Sequence, residues 1–303
     1  MFRGVFPMLP TPFDEDGNVR FDDLSALIEL AGQDGVQGLS ALGLASEVRN
    51  LTVGERKAIT EHLVGEVGGK LPLLIGVSAD DTNSACDLAA HADSHGVQMV
   101  MVAPPVVKDG LSEDRQVEHF VRVAAAAGSA KVMLQDAPNE LGVYLSASAI
   151  VRIVEQAPNV RYAKLEGVNT GQAVIDLLQD GLDGCLSFFG GTGGLHYMDL
   201  LDAGVTGVMP AFEAPRNFIE ITRLFESGDR QAARALHARL MPFLVFKAQS
   251  LAISVLVIKE LLKQKGVLKS AHCRIAPPLK PWSVSTAMRH AESAGLLTQG
   301  GSA

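Results

Sequence analysis

Cysteine is scarce in this chain, and what there is does not cluster. Cys86, Cys185 and Cys273 are odd in number, widely spaced and set among apolar neighbours, so neither a disulfide framework nor a thiolate metal site is expected. Positive charge is also short: 26 Lys and Arg face 34 Asp and Glu, for a formal net charge of -8. Nucleic acid and anionic membranes both require a basic surface that displaces counterions, so neither is expected as a partner. No apolar run approaches the roughly 18 residues of a membrane span. Met1, Phe2 and Arg3 lead into a strand-like segment without the apolar core of a secretory signal, so a cytoplasmic location is expected. Aromatics make up 5% of the chain while hydrophobic residues reach 47%. That balance points to an interior of Val, Leu, Ile and Ala, the kind that fills parallel barrels.

What is present is alternation. Short apolar runs at 4–9, 37–42, 71–77, 97–102, 131–134, 160–165, 182–188 and 205–209 are separated by longer amphipathic stretches. Several of those stretches open with helix-start chemistry: Thr52 three before Glu55, Ser112 before an acidic turn, and Asn169 three before Gln172. Eight strand–helix units in series fit a closed (β/α)8 TIM barrel better than an open doubly wound sheet. The α/β barrel is expected over 1–224. From 225 to 303 the alternation stops, and a C-terminal helical appendage is expected, with helices at 230–244, 251–265 and 284–294 and a break at Pro277 and Pro278. Residues 299–303 are expected to lack structure.

In such barrels the chemistry sits at the C-terminal ends of the strands, so polar residues late in an apolar strand stand out. Most of the eleven lysines fall on helices or at their ends, where a solvated side chain is the ordinary reading. Lys131 opens its strand, at the stability face. Lys164 comes late in the sixth strand and points towards the mouth. Strand alternation puts Tyr162, Lys164 and Glu166 on one face, with Glu166 about 6 to 7 Å further up. A lysine there, once neutral, attacks a carbonyl, and Glu166 can orient it or move protons. The competing reading is a structural Lys164–Glu166 ion pair.

Other strand ends carry weaker signals. The second runs into Gly43, Leu44, Ala45, Ser46 and Glu47, where backbone N–H groups and the Ser46 hydroxyl can receive a carboxylate. An ordinary turn reads the same way. The fifth ends in Gln135 and Asp136 ahead of Pro138, suggesting a site residue followed by a turn. The seventh ends in a glycine loop around Gly190 that lacks the lysine and spacing of a nucleotide cradle. Gly190 and, at the end of the eighth strand, Met209 complete the candidate substrate-binding set with Ala45 and Ser46.

Taken in order, the opening from Gly4 to Phe13, the Gly43 to Glu47 turn, Pro138, Gly142, the Lys164 strand, the glycine loop and the run from Arg274 to Pro278 resemble the dihydrodipicolinate synthase and N-acetylneuraminate lyase family of class I Schiff-base lyases. The resemblance spans almost the whole chain. It implies a barrel with a helical tail, a dimeric or tetrameric homo-oligomer, a small-molecule 2-keto acid as partner, and a Schiff base on Lys164. It implies neither metal nor organic cofactor.

Three departures narrow the activity. The family's Gly-Thr-Thr-Gly-Glu is here Gly-Leu-Ala-Ser-Glu. Its proton-relaying tyrosine is replaced by Gln135, which cannot exchange protons as a phenol does. Glu140 stands where the synthases carry an arginine for their second substrate. Gln135 with Glu166 resembles the L-2-keto-3-deoxyarabonate dehydratase branch, although the loop from Ala103 to Gly110 lacks that branch's tyrosine. The resemblance therefore implies dehydration of a 2-keto-3-deoxy sugar acid to 2-oxoglutarate semialdehyde, with Lys164, Glu166 and Gln135 as catalytic residues. The alternatives are a pyruvate-dependent aldolase of such acids and a non-catalytic keto-acid-binding barrel.

Overall fold

A computed structural model describes residues 1–107 and 110–297; the 299–303 segment, expected to lack structure, lies outside the described residues. Eight strands run through the described residues: β1 (Gly4–Val5), β2 (Leu39–Ala41), β3 (Leu73–Gly76), β4 (Met99–Val102), β5 (Lys131–Asp136), β6 (Val160–Leu165), β7 (Ser187–Gly190) and β8 (Gly207–Val208). Between and after them come helices α1 (Phe21–Asp34), α2 (Val53–Val67), α3 (Thr82–Ser94), α4 (Glu113–Ala126), α5 (Pro138–Leu141), α6 (Ala147–Gln156), α7 (Thr170–Leu177), α8 (Tyr197–Asp202) and α9 (Pro215–Glu226). Three more helices follow, α10 (Arg230–Lys247), α11 (Leu251–Gln264) and α12 (Pro281–Ser293).

All the strands pair in parallel, in the order β1-β8-β7-β6-β5-β4-β3-β2. The sheet curls until its outer strands meet: Met8 bridges Ser40, the Ser40 N–H donates to Pro7 O at 3.1 Å, and the Leu9 N–H donates to Ser40 O at 2.8 Å. That seam separates a curled sheet from an open doubly wound one.

Local chemistry explains several boundaries. Thr52 accepts from the Glu55 N–H while the Glu55 carboxylate accepts from the Thr52 N–H, so the expected capping box opens α2. The other two expected starts differ. Ser112 is the N-cap of α4 but makes no side-chain cap bond, and Asn169 precedes α7 in a left-handed conformation without capping it. The seventh strand is displaced from its expected position. Leu182 ends an irregular turn, Gly184 reverses the chain at φ 71°, and the strand begins only at Ser187. Leu182 and Leu186 are buried, so the apolar run was real but belongs partly to a turn.

The core has two layers, and the inner one corrects the composition argument. Strand alternation sends Val100 and Val102 outward into a large Val, Leu, Ile and Ala layer beneath the helices. Met99 and Met101 point inward, to a lumen filled by Phe6, Met8, Met133, Tyr162, Phe189 and Met209. Methionine adapts to an irregular narrow space better than branched side chains do. No single helix among the described residues is long and apolar enough to cross a membrane. Helices α10 and α11 are long and apolar enough only when taken together, and they bend by 119° at their junction.

Candidate active site

The register of β5 and β6 sets Gln135 beside Lys164, and both side chains reach one pocket at the strand ends. Met8 and Met209 belong both to the lumen packing and to the pocket lining, so the pocket rests on the inner core. The cavity is about 140 Å³, room for roughly ten water-sized positions. Larger grooves, such as one of about 540 Å³ beside α1 and α9, lie on the outer surface without Lys164.

Lys164 is nearly buried, and its Nζ lies 3.0 Å from Glu166 Oε2. The same oxygen accepts from Gln135 Nε2 at 2.8 Å, and Glu166 Oε1 accepts from the Thr192 N–H at 2.8 Å. Burial alone raises a carboxyl, but the Lys164 ammonium, together with the Gln135 and Thr192 hydrogen bonds, holds Glu166 below the ordinary carboxylate range. The loop after β7 is moulded around this carboxylate: a Cβ on Gly191 would fall 2.2 Å from Glu166 Cγ. Only glycine permits that approach.

The structure sorts the remaining candidates. Ala45 and Met209 line the pocket; Ser46 and Gly190 do not. The Ser46 hydroxyl is turned away, donating to Leu9 O at 2.6 Å, and its carbonyl accepts from Thr11 Oγ1. Ser46 therefore braces the turn against the first-strand segment. Gly190 is the last residue of β7, paired with Val208, and Thr192 and Gly193 beyond it face the cavity instead. Glu140 lines the pocket, whereas Asp136 does not. Asp136 accepts from the Leu145 N–H at 3.1 Å. Burial, with the nearby Glu166 charge adding to it, lifts its carboxyl to about 6.

Two buried lysines escaped the sequence reading. Lys247, at the end of α10, lines the same pocket as Lys164 and lies 2.7 Å from Glu213 Oε1. The contact is close but poorly directed, for neither Glu213 oxygen has a well-formed hydrogen bond. A Cβ on Gly193 would come within 2.4 Å of the Lys247 ammonium. Glu213 sits in a turn beyond β8, after the Met8–Ala211 bridge. Lys259, on α11, is wholly enclosed and donates to Glu47 Oε1 and to His272 O. Glu47 Oε2 also accepts from the Arg274 and Ile275 N–H groups, each at 2.7 Å. The Gly43–Glu47 turn is thereby fastened to the C-terminal region.

Comparison with known proteins covers nearly the whole chain. The profile described as "Dihydrodipicolinate synthetase family" matches residues 1–294. The 4-hydroxy-tetrahydrodipicolinate synthase of Methanothrix thermoacetophila is 29% identical over 286 residues, covering 93% of this chain and 92% of that one. The L-2-keto-3-deoxyarabonate dehydratase of Azospirillum brasilense is 26% identical over 278 residues, covering 91% and 89% respectively. Among solved structures, the 4-hydroxy-tetrahydrodipicolinate synthase of Methylacidiphilum fumariolicum SolV superposes with a TM-score of 0.90 at 22% identity, covering 97% of this chain and 96% of that one. At that identity the likeness shows the fold.

Proposed function

The chain belongs to the dihydrodipicolinate synthetase family, and from that premise we propose that it forms a Schiff base between Lys164 and a 2-keto-3-deoxy sugar acid and dehydrates it. The observation that carries this reading is the clamp on Glu166: a base held against Lys164 by a glutamine and a backbone amide, with no tyrosine among the described residues that line the pocket. The five-carbon substrate L-2-keto-3-deoxyarabonate gives 2-oxoglutarate semialdehyde by this route.

The substrate carboxylate sits at the turn that begins with Leu44 and Ala45, whose N–H groups have no acceptor within that turn. Proton transfer from Lys164 to Glu166 across 3.0 Å leaves a neutral amine that attacks C2. Loss of water gives the iminium ion, which acidifies C3. Glu166, its proton passed on, removes a C3 proton to give the enamine. The enamine electrons then form the C3–C4 double bond as the C4–O bond breaks, and the Lys247 ammonium donates to the departing hydroxyl. Proton loss at C5 and protonation at C3 leave a C4–C5 enol, which ketonises to the aldehyde by taking a proton at C4 and losing the one on the C5 hydroxyl; hydrolysis of the iminium then releases the product and frees Lys164. Gln135 keeps Glu166 aimed, and Met209 supplies an apolar wall. Gly190 acts only through the loop it leads into, and Ser46 through the turn it braces.

An aldolase starts from the same iminium but must deprotonate the 4-hydroxyl, the step the missing phenol would serve. Synthase activity like that of many relatives is disfavoured by Glu140, which puts an acid at the pocket where the synthases use an arginine. In this reading residues 1–224 form the catalytic barrel, and residues 225–303 form the helical region that walls its mouth through Lys247. The enzyme is taken as a cytoplasmic homo-oligomer, dimer or tetramer, acting without metal or organic cofactor.

The test is intact-protein mass after borohydride reduction with 2-keto-3-deoxyarabonate or pyruvate, with Lys164→Ala as control. The expected adduct is lost in the control, and its mass distinguishes a dehydrated pentonate from a cleaved pyruvate fragment. No adduct with either acid overturns the Schiff-base reading. A pyruvate fragment from the pentonate replaces dehydration with aldol cleavage.

A further inference from the structure

Helices α2 and α3 pack side by side on the outer wall of the barrel, and a small group of nitrogen and oxygen donors meets between them. His91 and His95 are four residues apart at the end of α3, so they share one face; their ring centroids are 4.3 Å apart. Glu61 reaches across from α2. Its Oε1 lies 3.4 Å from His91 Nε2 and 4.0 Å from His95 Nε2, and the three ligand atoms all lie within 4.8 Å of one another. Around a tetrahedral zinc with bonds of about 2.0–2.1 Å, ligand atoms stand roughly 3.3 Å apart. Small side-chain rotations suffice to close the observed triangle to that size.

The two rings present their Nε2 atoms to the same carboxylate. His95 Nδ1 lies 2.8 Å from the His91 carbonyl oxygen, so it carries the proton and leaves Nε2 as a lone pair. A backbone carbonyl that fixes a ligand's tautomer in this way is the usual outer shell of a histidine metal site. His91 Nε2 is buried without a hydrogen-bond partner and lies 3.4 Å from the Glu61 carboxylate oxygen, a place that a cation between them fills.

We propose that Glu61, His91 and His95 bind a divalent transition-metal ion of the zinc class, with the fourth position open to water. Two imidazole nitrogens and one carboxylate oxygen suit zinc, cobalt or nickel rather than calcium or magnesium, which take all-oxygen shells. His95 lies just ahead of β4, at the end of the barrel opposite Lys164, the face associated with stability rather than chemistry. The ion therefore ties α2 to α3 and takes no part in turnover.

Purified protein stripped with a chelator and titrated with Co²⁺ provides the test. Expected are one ion per chain with the intense visible absorption of tetrahedral cobalt, displacement by Zn²⁺, and a zinc-dependent rise in Tm. Both signals disappear in His91→Gln/His95→Gln, Glu61→Gln weakens binding by about ten-fold or more, and His62→Gln, a histidine on α2 outside the cluster, changes neither. Adduct formation at Lys164 in the same preparations reports that each variant is folded. Absence of stoichiometric cobalt binding, or binding that survives the double substitution, overturns the proposal.

Discussion

Two lysine–glutamate pairs in this molecule are chemically alike and sit in opposite surroundings. Lys164 and Glu166 sit at the end of β6 with a cavity in front of them. Lys259 and Glu47 are sealed, with neither side chain exposed. In the sealed pair every strong acceptor site is filled by protein: Glu47 takes the Lys259 ammonium and two backbone N–H groups, and Lys259 lies 4.3 Å over the Phe13 ring as well. In the open pair, Glu166 is similarly saturated but Lys164 faces a volume that protein does not fill. On the proposed reading, a buried ion pair becomes catalytic when one partner keeps a free direction, and structural when neither does. Lys247 and Glu213 stand between these cases, enclosed like the second and bordering the cavity like the first.

Breaking the open pair has the largest expected effect. Glu166→Gln keeps the shape but removes the base, so turnover is expected to fall by about 10³-fold, and pyruvate forms its borohydride-trapped adduct more slowly because Glu166 no longer takes the Lys164 proton. Retained turnover by steady-state assay sinks the base assignment. Breaking the sealed pair acts on stability instead. Lys259→Met leaves the Glu47 carboxylate buried without its cation, at an expected cost of about 3–5 kcal/mol in urea unfolding. Adding Glu47→Gln is expected to restore part of it, and a Lys259→Met protein as stable as the parent contradicts the clamp.

Asp136 sharpens the comparison, being a buried carboxyl with one backbone N–H and no ammonium. Its pKa is raised from 3.8 to about 6, so between those values the folded state binds more protons than the unfolded one. Stability from this group is therefore full at low pH and falls as pH rises through that window. Asp136→Asn is expected to flatten the decline and gain up to about 3 kcal/mol above pH 6. An unchanged stability profile from pH 4 to 7 removes Asp136 as the cause. The intermediate pair gives the smallest change: Lys247→Met is expected to lower kcat for the sugar acid by about ten-fold, with pyruvate adduct formation unaffected. An equal loss for both acids makes Lys247 a structural residue.

Legibility in the sequence followed the distance over which the physics acts. The Lys164 strand was readable because alternation is a two-residue property, and the same rule placed Glu166 beside it; Gln135 was found from its place at the end of the fifth strand, and its register against Lys164 needed the fold. Glu213 lay beyond the reach of that rule, because it sits in a turn past the end of β8. Lys259 had no local signal, because its partner is 212 residues away and an isolated lysine on an apolar helix reads as a solvated end. The lumen was misread for a different reason: composition counts Val and Leu without saying which layer they occupy, and inward Met99 and Met101 appear only when strand register is known. Ser46 was assigned to the substrate from residue type, whereas its hydroxyl goes to a backbone acceptor that sequence does not locate.

The fastening of Glu47 to Lys259 also has a consequence for how the chain is made. A ribosome adding about 5–20 residues per second takes roughly 10 to 40 s to synthesise the span between the two. During that interval the emerging first half carries a carboxylate in a position shaped for enclosure, with its ammonium and the Arg274 and Ile275 amides not yet made. The Gly43–Glu47 turn is therefore fastened only after residues 259–275 have been made, long after the Met8–Ser40 seam residues have emerged. Nascent chains arrested before residue 259 are expected to remain open to protease, whereas chains extending past residue 275 become resistant.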